Sequence, residues 1–545
     1  MVEILFAMLA SGSDKRMLNE TNRISERAFI SVHEHADPFN DIDFHAVFTA
    51  PDGSSLTVPG FWAGGNTWKL RYASDQVGKH RFRTVCSDSS DAGLHDVSGE
   101  LQVEKYIGDN PLYLHGATQV APDRRHFEHA DGTPFFWLCD TWWMGLCCRL
   151  QFPDEFAELA SDRIKKGFTV IQIVAGLYPD MGAFDERGAN EAGFPWTTDY
   201  SSIEPAYFDQ ADRRIAYLCE YGFAPCIVGA WGYHIPWLGV ERMKKHWRNL
   251  AARWGAYPVF WCVAGEVNLP YYLTPGFPFQ DAAQVTEWTK VARYLKEVDP
   301  FHRPLSIHPT GIGRLSARAA IDDVGLLDFD MLQTGHGDRS SLGPTVDTMR
   351  WSCSEEPVMP VLNSEVCYEG ILETCHDDVQ RLMFWTSMLS GGAGHTYGAN
   401  GIWQQNRQGE PYGKSPHGGT YGPTPWDEAM NLPGSRQLGL AKRFLEQFPW
   451  HRFEPHPEWA RYTKAFDDPF VVPYAAGIPN EVCLAYVPEA REIVLGLGTN
   501  GSYRASYFDP VSGDESDAGV VTGSDSIRAP FGSHDWVLAL RHIGT

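Results

Sequence analysis

The chain is short of positive charge. Its 45 Lys and Arg stand against 69 Asp and Glu, for a net charge of −24. Nucleic-acid binding rests on Lys and Arg contacts to phosphate, and attraction to an anionic membrane surface needs the same residues. Both partner classes are therefore set aside. Long apolar runs are also missing: none reaches the ~20 residues of a membrane-spanning helix. The stretch Met1–Ser11 is apolar but short, has no basic flank and carries Glu3, so it does not read as a secretory signal. No Gly-rich phosphate loop follows the first strand of the central region. Gly391-Gly-Ala-Gly394-His395 has only the glycines of one, with no Lys-Ser/Thr behind it. The eleven cysteines follow no framework, and Cys139, Cys226, Cys262 and Cys367 lie in apolar runs, where thiols pack as small hydrophobes. Cys147-Cys148 and Cys375-His376 lack the second pair of a zinc motif. These absences predict a cytoplasmic protein that uses no cofactor, acts on a neutral small molecule and keeps its thiols reduced.

What is present is length and aromatic side chains. The chain has 545 residues, more than one core accommodates, and is 13% aromatic with 19 Trp and 22 Tyr. Residues 1–24 read as an extension. Over 25–106, apolar and polar positions alternate between Gly and Asp turns, which predicts a small β-sandwich. Residues 107–130 read as a connector. From 131 to 452, short apolar runs alternate with amphipathic stretches. The runs are Pro134–Cys139, Phe168–Val174, Phe223–Gly229, Pro258–Ala264, Pro304–His308, Phe329–Gln333, Val358–Ser364 and Gly392–Thr396. Eight strand–helix units at this spacing predict a (β/α)8 TIM barrel, with a doubly wound open sheet as the alternative. Alternation returns over 453–545, predicting a second β-sandwich. The fold class is thus α/β, a barrel flanked by N-terminal and C-terminal β-sandwich domains. Those domains offer a contact for a homo-oligomer.

In such a barrel the chemistry sits at the C-terminal ends of the strands. There the sequence places Asp140, Thr141, Trp142 and Trp143 (strand 1), Tyr178 and Asp180 (strand 2), Trp231, Tyr233 and His234 (strand 3), Glu266 and Asn268 (strand 4), His308 (strand 5), Gln333 and His336 (strand 6), Glu365, Tyr368 and Glu369 (strand 7), and His395, Tyr397, Asn400 and Trp403 (strand 8). Glycoside hydrolysis needs two carboxyl groups flanking the scissile bond. Glu266 and Glu365, on strands expected to face each other across the mouth, are candidates for general acid/base and nucleophile. Trp261 is expected to help raise the pKa of Glu266, and Tyr368 to donate to Glu365. Of the others, Asp140, Trp142, Tyr178, Trp231, Asn268, His308, Gln333, His336, Tyr368, His395, Tyr397 and Trp403 are candidates for holding sugar hydroxyls and ring faces. Two alternatives stay open: a metal-dependent hydrolase or isomerase using His308, His336 and His395, and a carbohydrate-binding protein on an inactive barrel.

Several segments are similar to the apiosidase-like glycoside hydrolases. They include Pro134-Phe-Phe-Trp-Leu-Cys-Asp140-Thr-Trp-Trp, Gly265-Glu266-Val-Asn268, Gln333-Thr-Gly-His336, Asn363-Ser-Glu365-Val-Cys-Tyr-Glu369-Gly and Ser390-Gly-Gly-Ala-Gly-His395-Thr-Tyr-Gly398. Val58-Pro-Gly-Phe-Trp-Ala-Gly-Gly-Asn-Thr-Trp68 resembles the DUF5060-like sandwich that precedes such barrels, and Tyr507-Phe-Asp-Pro-Val-Ser-Gly513 their C-terminal domain of collagen-binding label. The resemblance implies a (β/α)8 barrel that hydrolyses a non-reducing-end sugar, apiose among those known, with its acids on strands 4 and 7. Joined to the paired carboxyls and the absent secretory signal, it leads to the expectation of an exo-acting, retaining glycosidase that releases a furanose or pentose-type sugar from small glycosides or oligosaccharides. The resemblance also marks a departure. The strand 4 acid of the family is often Asp after Gly-Gly, whereas here it is Glu266 after Ala264-Gly265.

Overall fold

The computed structural model describes residues 19–277, 281–313, 315–498, 501–529, 532 and 534–544. The extension expected over residues 1–24 lies outside them up to residue 18. Eight parallel strands form the central sheet: β1 Trp137–Thr141, β2 Val170–Val174, β3 Ala224–Val228, β4 Phe260–Cys262, β5 Leu305–Ser306, β6 Asp330–Gly335, β7 Val361–Val366 and β8 Gly394–Tyr397. Their order is β5-β4-β3-β2-β1-β8-β7-β6. The remaining seam is drawn together by the Ser306 hydroxyl, which donates to the Phe329 carbonyl at 2.7 Å, and by the Asp328 N–H, which donates to the Leu305 carbonyl at 2.8 Å. Strands such as Val-Ile-Gln-Ile-Val of β2 are buried throughout, as a sheet covered on both faces requires.

Helices α1 Asp154–Lys166, α2 Pro205–Glu220, α3 Val240–Trp254, α4 Ala282–Val298, α5 Leu342–Ser354, α6 Asp377–Met388 and α7 Pro433–Leu445 cover the barrel. Local signals set their ends. Asp281 accepts from the N–H groups of Ala283 and Gln284 to start α4. Gly167, at φ +89°, closes α1 in the left-handed conformation. Two details differ from eight regular units. After β5 there are only the 3-10 turns Ala317–Ala320 and Val324–Leu326 among the described residues. And α5 has no clear apolar stripe in sequence, because Gly343, Pro344 and four Ser or Thr residues interrupt it.

The N-terminal region folds as a five-stranded sheet against a three-stranded one. Its outermost strand, Asn19–Glu20, pairs with Ser98–Glu104, so the sandwich begins before residue 25. The supposed connector is structured. Strands Thr118–Val120, Phe127–His129 and Pro134–Phe135 form a small sheet at the barrel floor. There the Phe127 ring packs against Trp137, Phe260 and Phe329 at 5.2–5.7 Å between centroids. A bare apolar barrel end would be hydrated, and this plug removes it from water. The C-terminal region is a six-stranded sheet with a three-stranded partner. It is tied to α6 by a buried ion pair, Arg381 to Asp535 at 2.8 Å. Among the described residues, no helix is long and apolar enough to cross a membrane.

Candidate active site

Glu266 and Glu365 meet at the C-terminal mouth. Beyond β4 the chain makes a single parallel bridge from Gly265 to Trp231. A Cβ on Gly265 would lie 2.2 Å from the Trp231 ring, so only glycine lets that ring lie flat beside the backbone. Glu266 follows at φ +42°, a conformation costly for a residue with a side chain. Its carboxyl accepts from Trp231 Nε1 at 3.2 Å and from Gln333 Nε2 at 3.1 Å. Glu365 lies near the end of β7 and is 5% exposed. Its Oε1 accepts from the same Gln333 nitrogen at 2.9 Å and from His336 Nε2 at 3.0 Å.

One amide nitrogen therefore holds an oxygen of each glutamate. The two oxygens can be no farther apart than those distances laid end to end, about 6 Å. In the sheet order β4 and β7 are separated by β5 and β6, not set diametrically across the mouth, and Gln333 of β6 fills the interval.

The environments of the two acids push their pKa values apart. Burial raises Glu266, and the negative charge of Glu365 raises it further. Burial would raise Glu365 too, but it is outweighed by the His336 hydrogen bond, by the neighbouring His308 and His336 rings, and by the Tyr368 hydroxyl, leaving the carboxyl below its ordinary value. The His336 tautomer follows from its partners. Nδ1 accepts from the Tyr368 N–H at 3.3 Å, so Nε2 carries the proton donated to Glu365. Tyr368 accepts from Trp143 Nε1 at 2.9 Å, leaving its own proton for Glu365, which it faces. His308 turns Nδ1 to the Pro309 carbonyl at 2.8 Å, which leaves Nε2 3.5 Å from Glu365 Oε2 without a hydrogen bond; burial lowers its pKa.

Of the other residues singled out in sequence, Trp231, Asn268, His308, Gln333, His336, Tyr368 and Trp403 belong to this mouth. Asn268 accepts from the Thr310 N–H at 3.1 Å and leaves its side-chain nitrogen unpartnered. Trp403 lies beside Tyr368 and Tyr421 with its indole N–H free of partners.

Five of these candidates are not brought to the mouth: Asp140, Trp142, Tyr178, His395 and Tyr397. Side chains alternate along a strand, and Asp140, His395 and Tyr397 fall on the alternate that faces the helices. Asp140 is fully buried. It accepts from Arg163 of α1 at 2.6 Å and from Trp142 Nε1 at 2.7 Å, while the Trp142 ring packs edge-on to Phe156. Tyr397 donates to Glu369, and the His395 ring packs on Phe384 of α6. Tyr178 stands apart as well, sharing a hydrogen bond with the Tyr207 hydroxyl at 2.9 Å.

Trp143, one residue after Trp142, is the indole that reaches the site, edge-on to Trp231 at 5.4 Å. The tryptophan beside Glu266 is Trp231; Trp261 points the other way and donates to Asp299 at 2.8 Å. His308, His336 and His395 do not gather into one ligand set. Among the described residues, the group whose ligand atoms lie within 4.8 Å of one another is His33, Asp88 and Asp91, in the N-terminal sandwich.

A TIM barrel with two rim carboxyls on strands 4 and 7, one raised and one lowered, has the form of a glycoside hydrolase. Comparison agrees. The sequence profile described as "Apiosidase-like, catalytic domain" matches residues 121–452, and the chain belongs to that family. Residues 23–87 match "Domain of unknown function (DUF5060)". Among curated proteins none matches. A solved glycoside hydrolase is 21% identical over 80% of this chain and 98% of its own, at TM-score 0.67. A glycoside hydrolase family 5 protein from Bacteroides vulgatus is 22% identical over 80% and 95%, also at 0.67. A candidate glycoside hydrolase from the same organism is 17% identical over 96% and 99%, at 0.69. At these identities the likeness is one of fold.

Proposed function

We propose that this chain is an exo-acting, retaining glycosidase that releases a furanose or pentose-type sugar from small glycosides or oligosaccharides. The observation that carries this reading is the shared Gln333 nitrogen. Retaining enzymes keep their carboxyl groups about 5–5.5 Å apart and inverting ones about 6.5–9.5 Å, and an upper bound of about 6 Å between carboxyl oxygens favours retention. Glu365 Oε1 is pinned by Gln333 and His336, which leaves Oε2 as the attacking atom. A lone pair of Oε2 forms the bond to the anomeric carbon as the glycosidic C–O bond breaks. The Glu266 proton passes to the leaving oxygen. Water then attacks the glycosyl–enzyme ester, giving its proton back to Glu266 and restoring the Glu365 carboxylate.

Exo action is supported by enclosure. Glu365 lies behind a rim of Tyr272, Trp403 and Tyr421, more accessible to the end of a saccharide than to its middle. A cytoplasmic location fits the eleven cysteines, all of them free thiols. The test is a panel of 4-nitrophenyl pentofuranosides, pentopyranosides and hexopyranosides, with proton NMR of the first-formed sugar. The expected result is turnover of a pentose-type glycoside with the anomeric configuration kept. Turnover that a chelator abolishes, or a product of inverted configuration, contradicts the proposal.

A further inference from the structure

A third carboxyl shares the mouth and has no assigned part in the reaction. Asp180 follows β2 in the loop Val174-Ala-Gly-Leu-Tyr-Pro-Asp180 and sits at φ +60°, again in the left-handed region. Its backbone is fixed from both sides. Tyr233 donates to the carbonyls of Tyr178 and Met181 at 2.8 and 2.9 Å, and His234 Nε2 meets the Tyr178 carbonyl at 3.0 Å. The side chain is 3% exposed, yet among the described residues neither carboxyl oxygen has a hydrogen-bond partner.

The groups around it answer its charge only loosely, with no bond of full hydrogen-bond geometry among the described residues. Ser415 and Tyr421 face it with their hydroxyls, and His417 Nε2 stops 3.9 Å away. Arg187 gives its guanidinium to Asp185 and to the carbonyls of Tyr412 and Lys414. Tyr233, Tyr272 and Tyr412 complete the wall. Burying a carboxyl without partners costs several kcal/mol, and burial here pushes it up to about 7. Such an arrangement persists where something else supplies the donors. Asp180 also lies on the same side of the barrel as the acid pair, close enough to share tyrosine neighbours with it. Tyr272 faces both Asp180 and Glu266, and Tyr421 faces Asp180, Glu266 and Glu365.

We propose that Asp180 is a substrate-binding residue whose two carboxylate oxygens accept hydrogen bonds from a pair of neighbouring hydroxyls on the sugar held between Glu266 and Glu365. It thereby selects glycosides whose terminal sugar carries a free diol. This rests on the glycosidase reading. Two hydroxyl donors meeting one ionised carboxylate replace the water that burial removed, and such charge-assisted bonds are stronger than those between neutral groups. The sign with pH follows. Sugar hydroxyls bind the ionised form, so affinity rises as pH increases through about 7 and levels off above it.

On the best aryl glycoside, Asp180→Asn is expected to raise KM about 10–100-fold with a smaller change in kcat, and Asp180→Glu to recover part of the loss. Deoxygenating either contacted hydroxyl costs the wild type as much as the substitution does, and adds little further loss in Asp180→Asn. Calorimetry of free pentoses with the Glu266→Gln protein reads the same contact without turnover and without Glu266 titrating. Binding should strengthen as pH rises through about 7. Adding Asp180→Asn should weaken it and flatten its pH dependence, with an unchanged or higher Tm. Equal affinity with and without Asp180→Asn across pH overturns the proposal, and a lowered Tm with unchanged affinity assigns Asp180 to the scaffold. Binding that depends on Asp180 in a protein that cleaves no glycoside overturns the hydrolase reading and leaves this contact standing.

Discussion

Two clusters of buried acids, one containing Glu369 and the other Glu365 four residues before it, differ in how their charges are met. On the helix side of β1 and β8, Asp140 takes donors from Arg163 and Trp142. Glu369, raised to about 7 by burial, takes the Tyr397 hydroxyl and the Gly434 N–H at the start of α7. At the mouth, Glu365 Oε2, both oxygens of Asp180, His308 Nε2, Asn268 Nδ2 and Trp403 Nε1 have no partner. In the first cluster both carboxylates are supplied with donors, although Arg163 Nη2 and His395 Nδ1 beside them have none among the described residues, and the pairs hold the barrel to its helices. The second is left open at a place that water or substrate reaches. Among the described residues, what separates these two groups of acids is whether the carboxyl oxygens themselves have donors.

The largest expected effect falls on the open cluster. Glu365→Gln should lower kcat by about 10⁴-fold or more while Tm holds or rises, because a like charge beside Glu266 is removed. Steady-state kinetics and a thermal melt check both halves. Glu266→Gln should cost about 10²–10⁴-fold in kcat, and less on substrates with an activated leaving group that needs no protonation. In the closed cluster the sign of the comparison reverses. Arg163→Met leaves Asp140 buried and unpaired, which should destabilise the fold by about 3–5 kcal/mol with kcat per folded molecule little changed. A large kcat loss at unchanged Tm would move Asp140 into the site.

The pH profile sharpens the same contrast more gently. Glu365 is depressed and must be ionised, so activity falls as pH drops through its low pKa. Glu266 is raised and must be protonated, so activity falls as pH rises through its elevated pKa. Glu266→Gln should abolish the alkaline limb and keep the acidic one. Smallest of all, Tyr397→Phe removes one hydrogen bond to Glu369 and should cost about 1 kcal/mol of stability, read by denaturant midpoint.

Much of the barrel was legible because strand and helix have different periods, and short Val- and Ile-rich runs between amphipathic stretches survive small errors in their ends. The acids were legible because Gly265-Glu266 and Ser364-Glu365 end apolar runs. What a strand end does not disclose is parity. A shift of one residue exchanges core for helix layer, so Asp140, Trp142, His395 and Tyr397 looked like binding residues, and of the Trp142-Trp143 pair at the strand end the second is the one in place. The floor sheet was obscured because its strands are only two or three residues long. Asp180 follows a strand by six residues, and only the folded loop shows how loosely its carboxyl is met.

The central claim is that Glu365 attacks the sugar while Glu266 protonates its partner. Mass spectrometry of the protein after incubation with a 2-deoxy-2-fluoro glycoside of the cleaved sugar, bearing a dinitrophenyl leaving group, tests it most directly. The account predicts one added glycosyl unit on the peptide containing Glu365, absent in Glu365→Gln. An adduct on another residue, or continued hydrolysis with no adduct and an inverted product, would contradict it.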